Sequence, residues 1–340
     1  MALHNVIGQE KATGILRGIL KRKRLASSYL FCGESGIGKK MAAINFAKAV
    51  NCLTMSGAAD DTRSSFLPAA PPSSLAAGYD ACDTCESCLK IDAGSHPDIV
   101  RISPQEGLIK IDEIRTIEEA LSFKPYEGMK KVVIVDDADT MNQAAANTFL
   151  KTLEEPPEDS LIILISSRPD RLLPTIRSRC STIAFHPLSL DSCRQILDGK
   201  IAAHDIEQAV RLSLGRPGLA VTGDMKEERD RFVDLLKSML RSEKDSWSSR
   251  EEIEKWFDLA LLFMRDLAVL KIAGRQTLLI NMDLIEHLAK LEKSLELKGI
   301  IAIYKELSFI KAMLPFNLNK SLTWNYTASL LRKELVPERA

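Results

Sequence analysis

Ser28-Tyr-Leu-Phe-Cys32, then Gly33-Glu-Ser-Gly-Ile-Gly-Lys39-Lys40, then the run from Lys39 to Asn51 (KKMAAINFAKAVN) decide the fold. The first piece is a short apolar run, the second is glycine-rich, and the third carries helical spacing. The order is therefore strand, loop, helix, which is the context a phosphate loop of the form G-x-x-x-x-G-K-[ST] requires. Gly33, Gly36 and Gly38 would let backbone N–H groups wrap phosphate oxygens, and the helix N-terminus adds partial positive charge. Lys39 would reach the β- and γ-phosphates of a nucleotide. A glycine-rich turn ahead of an ordinary helix is the plainer alternative. The last position departs from the pattern. Lys40 stands where a Ser or Thr hydroxyl should hold Mg²⁺, and an ammonium cannot ligate a cation. It can still balance phosphate charge, so nucleotide binding stays open while metal-assisted hydrolysis is impaired.

Working outward, Lys131-Val-Val-Ile-Val135 and Leu161-Ile-Ile-Leu-Ile165 are runs of mostly β-branched residues without polar alternation. Such runs fit strands buried on both faces of a parallel sheet. Between them, Asn142 to Glu155 reads as a helix stopped by Pro156-Pro157. Strands alternating with helices imply an α/β layered domain over about the first 180 residues. Val132-Val-Ile-Val-Asp136-Asp137 has the form of the second nucleotide motif, with Asp136 placed to approach Mg²⁺ and Asp137 beside it. Taken alone, an apolar strand ending in two acids is also an ordinary solvated strand terminus. After Pro187 the strands stop. Asp191 to Leu214 and Leu219 to Leu240 read as short helices broken at Gly215-Arg-Pro-Gly218, and from Ser249 onward four or five amphipathic helices follow.

The chain has 340 residues, enough for two or three domains. Hydrophobic residues make up 45% and charged residues 27%, the balance of a soluble globular protein. No apolar run reaches the roughly eighteen residues of a membrane span, and MALHNVIGQEKATG lacks the apolar stretch of a secretory signal. A cytoplasmic location is expected by default. Lys plus Arg total 46 and Asp plus Glu total 46, so the formal net charge is zero. A stand-alone DNA-binding protein usually carries a basic excess, so any nucleic-acid contact should be local or shared with partners.

Seven cysteines, without an export signal, argue against disulfides and leave spacing to decide their role. Cys82-x-x-Cys85-x-x-Cys88 offers three thiolates at tight spacing, with Cys52 upstream at a helix end. Four thiolates make a closed tetrahedral Zn²⁺ site of structural type; an iron–sulfur cluster is the competing reading. The 29 residues from 53 to 81 (LTMSGAADDTRSSFLPAAPPSSLAAGYDA) are rich in Ala, Ser, Pro and Gly and read as a mobile insertion that the metal would close. Cys32, Cys180 and Cys193 lack such spacing and are expected to be buried as small apolar residues.

With Leu172-Leu-Pro-Thr-Ile-Arg-Ser-Arg-Cys180 the chain resembles clamp-loader subunits of the AAA+ family, whose SRC motif matches Ser178-Arg179-Cys180. Val6-Ile-Gly-Gln9, the loop at 33–40, His96-Pro-Asp98, Asp136-Asp137 and Thr152-Leu-Glu-Glu-Pro-Pro157 match in the same order. By motif the resemblance covers roughly residues 1–220. It implies an AAA+ type parallel-sheet nucleotide-binding core with a four-cysteine zinc module over 1–182. A helical lid over 183–240 and an all-α collar for oligomerisation over 241–340 would follow. It also implies a role for Arg179. In these rings ATP lies at subunit boundaries, and the neighbour's SRC arginine points at the γ-phosphate, where a guanidinium neutralises developing charge. Arg177 is a weaker candidate for the same interface. Hydrolysing members carry Glu at position 137 and an arginine where Gly218 aligns; Arg216 is offset by two residues. Lys40, Asp137 and Gly218 thus alter three parts needed in cis, while Arg179, needed in trans, is kept.

This sorting favours the ring member that completes a neighbour's ATP site over an ATP-hydrolysing gamma/tau-type subunit, the alternative reading. Whether the chain is itself an enzyme stays open. It would be part of a DNA polymerase III holoenzyme, with no ATPase or polymerase activity of its own expected. The implied partners are gamma/tau and delta subunits in a hetero-oligomeric ring, the sliding clamp, and primer-template DNA, with no membrane. Zn²⁺ is the expected resident ion, with ATP and Mg²⁺ held by the neighbour. A further reading, a non-enzymatic DNA-binding module, rests on the basic run Lys21-Arg-Lys-Arg24, which is also an ordinary solvated helix end; Lys110 and Arg115 could add phosphate contacts.

Overall fold

The computed structural model describes residues 2–56, 79–221, 224–241, 244, 247–274, 278–316 and 318–335. Most of the insertion predicted at 53–81 therefore lies outside the described residues. Within the first unit, Met1–Ile196, five strands form one sheet: β1 (Ser28–Cys32), β2 (Ile99–Ile102), β3 (Lys131–Val135), β4 (Ser160–Ser166) and β5 (Ser181–Ala184). Their order is β2-β3-β4-β1-β5, and every neighbouring pair is parallel. The registers are regular, with Tyr29 opposite Ile163 and Val133 opposite Ile162.

The three central strands carry the longest apolar runs because both of their faces are covered. Leu30, Val133, Val135, Ile162 and Leu164 point to one side, where they pack with Ile114, Ile117, Phe149, Leu153 and Ile176. Those partners come from helices α5 (Ile111–Ser122), α6 (Gln143–Glu154) and α7 (Pro174–Arg177). Tyr29 and Phe31 point the other way, to Phe46 of α2 (Lys39–Val50), with ring centroids 5.5 and 6.4 Å apart. Helix α1 (Glu10–Arg22) packs against α2 and β5. Period-two alternation places neighbouring strand residues on opposite faces, so each apolar run serves two helical layers at once.

Both edge strands went unpredicted. Ile99-Val-Arg-Ile102 is partly exposed, and Ser181-Thr-Ile-Ala184 buries only Ile183. At four residues each, with one open edge, they do not need the apolar run that marks a doubly covered strand. The helices met expectation more closely: α6 ends at Glu154, before the two prolines, and Asn142 caps its start by accepting the Ala145 amide at 2.8 Å.

His96-Pro-Asp98 has a structural explanation. Asp98 is fully buried, and its carboxylate accepts the amides of Tyr126, Glu127 and Gly128 at 2.8, 2.9 and 2.8 Å. That charge is balanced by three aligned donors, which fix the loop entering β3. The Asp98 amide donates to His96 Nδ1 at 3.1 Å, so Nδ1 is unprotonated. Nε2 then carries the proton and donates to Ser87 Oγ at 3.2 Å, and Ser87 donates onward to the Asn51 carbonyl at 2.7 Å. This relay joins the end of α2 to α4 (Glu86–Ala93) and β2.

The second unit, Leu197–Ala340, is helical among its described residues. Helix α3 (Leu53–Ser56) belongs to the first unit and α8 (Leu190–Leu197) ends at the boundary; the second unit holds α9 (Ile206–Ser213), α10 (Pro217–Val221), α11 (Asp224–Leu240), α12 (Arg250–Ala273), α13 (Ile285–Ser294), α14 (Leu297–Met313) and α15 (Lys320–Leu335). Trp247, Trp256 and Trp324 centre its core, with Trp247 and Trp324 edge-on at 5.0 Å. Buried Asp266 accepts the amides of Ile280 and Asn281 at 2.9 and 2.7 Å and pins the connection ahead of α13. Among the described residues no helix is long and apolar enough to cross a membrane.

Burial holds the His96 imidazole below its ordinary 6.5, although Glu127 and Asp98 pull the other way. The unfolded chain therefore binds a proton that the native state refuses, and stability falls as pH drops below about 6.5. His96→Asn should cost about 1–3 kcal/mol at pH 7.5 by stranding the Asp98 and Ser87 partners. In thermal melts the gap between the native chain and His96→Asn should narrow from pH 7.5 to 5.5; a constant gap would contradict the relay.

Candidate functional site

The C-terminal ends of β1, β3 and β4 lie side by side, and the phosphate-loop residues gather there. This edge is where open parallel sheets place ligands. Gly33 leaves β1 with φ 145°, and a Cβ on it would stand 2.4 Å from the Phe185 carbonyl oxygen. No other residue fits. Gly38, at φ 96°, sets the left-handed entry into α2. Gly36 also takes a positive φ, 78°. Buried Gln9, from the Val6–Gln9 motif, braces the loop. Its side-chain amide donates to the Ile37 carbonyl at 3.1 Å and to the His186 carbonyl at 2.7 Å.

Lys39 is buried, and its ammonium donates to the carbonyls of Gly33 and Glu34, each at 2.6 Å. Burial pulls its pKa down, opposed by Asp137, Asp136 and Asp139. Lys40 is exposed, yet its ammonium is paired. Its Nζ lies 2.8 Å from Asp136 Oδ2. Asp137, in the left-handed region at φ 44°, is pushed up first by burial and then by Asp136 and Asp139. The structure thus brings together the candidate residues Gly33, Gly36, Gly38, Lys39, Lys40, Asp136 and Asp137.

Two participants were not singled out in the sequence. Ser166, the buried last residue of β4, donates to Asp139 Oδ1 at 2.7 Å. A lone hydroxyl ending an otherwise aliphatic strand was the available signal. Asp139 follows the two acids by only two positions.

Arg179 stands elsewhere, past α7 on the connection from β4 to β5. Its Nη1 donates to the Thr175 carbonyl at 2.9 Å and its Nη2 to Glu154 Oε1 at 2.6 Å. Arg177 meets Asp170 at 3.3 Å. Gly218 lies in α10 of the second unit. Lys21 to Arg24 are largely exposed at the end of α1, Arg115 pairs with Asp112 at 3.1 Å, and Lys110 pairs with Glu106 at 3.3 Å. Of the remaining cysteines Cys193 is buried, whereas Cys32 and Cys180 are half-buried; burial pushes the Cys180 thiol up to about 11.

The four spaced cysteines converge. The sulfurs of Cys52, Cys82, Cys85 and Cys88 all lie within 4.8 Å of one another, with Cys52–Cys85 and Cys82–Cys88 each at 4.0 Å. Four sulfurs around one ion at about 2.3 Å would stand about 3.8 Å apart, so the cage has the right size. The amides of Cys82 and Cys85 donate to the sulfurs of Cys52 and Cys82 at 3.4 and 3.3 Å, which favours thiolates. The neighbouring Cys88 sulfur, with Thr54 and the Cys82 amide, holds the Cys52 thiol below its ordinary value against the opposing effect of burial. Buried Lys48 ties this module to α2, reaching Asp83 and Asp92 at 2.6 Å each. Cys52 and Cys88 are fully buried and Cys82 and Cys85 half-buried, and four sulfurs suffice for a tetrahedral ligand set.

A phosphate loop after β1, acids at the end of β3 and the strand order β2-β3-β4-β1-β5 define a nucleotide-binding core of the AAA+ type. The profile of the family described as DNA polymerase III, delta subunit, matches residues 8–67 and 72–189. The chain belongs to this family. It is similar to the DNA polymerase III subunit delta' of Bacillus subtilis, at 28% identity over 302 residues, 82% of this chain and 83% of that protein. The delta' subunit of Pseudomonas aeruginosa is 34% identical over 244 residues, 67% of each chain. The Bacillus subtilis tau subunit is 36% identical over 181 residues, 53% of this chain and 28% of that protein.

A cage of four thiolates should be lost if one is neutralised. Cys85→Ser is expected to lower bound metal, measured by elemental analysis of the purified chain, from about one ion per chain to well below one. An unchanged metal content would show that the cysteines are not the ligands.

Proposed function

We propose that this chain serves as the delta-prime subunit of a clamp loader, in a ring with gamma/tau and delta subunits that places a sliding clamp on primer-template DNA. In that ring it lends Arg179 to a neighbour's ATP site and hydrolyses no ATP itself. The observation that carries this reading is the ion pair between Lys40 and Asp136 at 2.8 Å. Mg²⁺ in a phosphate-loop site needs a hydroxyl from the loop and a carboxylate from the acidic strand. Here the hydroxyl is absent and the carboxylate is engaged by the residue that replaced it. Asp137, one methylene shorter than glutamate, reaches less far toward an attacking water.

Arg179 remains suited to work across a boundary. A guanidinium has five donors, and two contacts engage one donor each from Nη1 and Nη2. Its side chain is 34% exposed, accessible to a partner's phosphate. The cysteine cage is taken to hold structural Zn²⁺, since four thiolates without a vacant position suit that ion. We further propose that residues 1–182 form the AAA+ core, that 183–240 act as its lid, and that 241–340 assemble the ring. The similarity to tau subunits keeps a hydrolysing gamma/tau-type role as the second reading, and that role would need a metal-holding hydroxyl at position 40.

When the chain is assembled with its cognate clamp-loader subunits, Arg179→Ala should lower clamp- and DNA-stimulated ATP turnover by on the order of a hundredfold or more. Size-exclusion chromatography should show the complex still formed. Turnover within twofold of the native complex would exclude the trans role.

A further inference from the structure

Thr152-Leu-Glu-Glu-Pro-Pro157 has so far been given no function beyond stopping a helix, yet its first glutamate touches the candidate finger. We infer that Glu154 is a positioning residue for Arg179, holding its guanidinium in the orientation it presents to the neighbouring site. The inference rests on the trans role proposed for Arg179.

Glu154 is the last residue of α6, and its Oε1 accepts from Arg179 Nη2 at 2.6 Å. A carboxylate at a helix C-terminus sits against the negative end of the helix dipole, so helix stability does not explain a glutamate there. A cation brought to it does. Both partners stand on rigid mounts. Leu153, next to Glu154, and Ile176, whose carbonyl accepts the Arg179 amide at 3.1 Å, are buried in one apolar cluster with Phe149 and Leu172. Pro156-Pro157 prevents α6 from continuing and so fixes where the carboxylate falls. The Thr175 carbonyl takes Nη1 at 2.9 Å, making a second fixed point on the same guanidinium.

Two anchors on one planar group remove much of the rotamer freedom of an arginine. They leave the Nε donor and the second hydrogens of Nη1 and Nη2 for phosphate oxygens. The pair is also half-exposed, at 34% for Arg179 and 50% for Glu154. A pair in that setting contributes little to folding. Its value lies in where it keeps the charge.

The test uses the full clamp-loader complex assembled with Arg179→Ala, Glu154→Ala, Glu154→Gln and the double variant Glu154→Ala/Arg179→Ala. Glu154→Ala should lower kcat for ATP by on the order of tenfold, with KM and the thermal midpoint of the subunit close to native. Glu154→Gln keeps an acceptor oxygen and should restore most of that loss. The double variant should be no slower than Arg179→Ala alone, because Glu154 acts only through the arginine. Full activity of Glu154→Ala beside a crippled Arg179→Ala would overturn the positioning role and leave the trans arginine standing. A further loss in the double variant beyond Arg179→Ala would also overturn it, by giving Glu154 a separate task. A harmless Arg179→Ala would sink the trans role, and the positioning inference with it.

Discussion

The ion pair between Lys40 and Asp136 is the interaction on which the functional account turns. A phosphate loop works by assembling positive charge around anionic oxygens, and the acidic strand works by lending carboxylate to a metal. In this chain the two halves meet directly, Lys40 to Asp136 at 2.8 Å, with the lysine side chain 54% exposed and the aspartate 18%. The surrounding groups follow the same logic. Lys39 turns onto the carbonyls of Gly33 and Glu34, and Asp137 is driven toward its neutral form by burial and by neighbouring carboxylates. The loop keeps its glycine geometry because Gly33 leaves no room for a side chain beside Phe185.

Helix α2 carries this charge cluster at one end and the cysteine cage just beyond the other, some 18 Å apart for twelve residues at helical rise. Lys48 near its far end is fully buried, and the carboxylates of Asp83 and Asp92 more than offset what burial does to its charge. Together with the His96–Ser87–Asn51 relay, this makes the cysteine module an integral part of the sheet domain. A buried ammonium with two carboxylates is tolerated only with full pairing, so the module's geometry and the seating of α2 are tied together.

How much of this was legible in the sequence depended on what each residue had to satisfy. The central strands, the phosphate loop and the proline-stopped α6 were readable, because double burial, loop chemistry and a missing N–H each leave a local mark. The three spaced cysteines were readable from their tight local spacing, and Cys52 joins them in space across the long gap. The edge strands Ile99–Ile102 and Ser181–Ala184 were not, since half-covered strands need no apolar run. Side chains whose work is to bond something distant in sequence were also hidden. Gln9 meets His186 across 177 positions, Ser166 meets Asp139 across 27, and Glu154 meets Arg179 across 25. Gln9 and Glu154 lie in recognisable motifs, but only three-dimensional contact shows what those motifs hold.

On the proposed reading the isolated chain, with Asp136 paired to Lys40, is inert toward ATP, whatever it contributes to a neighbour. Phosphate release from ATP by the purified chain alone, followed with and without Mg²⁺, tests this most directly. The account predicts no release above the buffer blank in either condition. Sustained, Mg²⁺-dependent release that disappears in Lys39→Ala would contradict it.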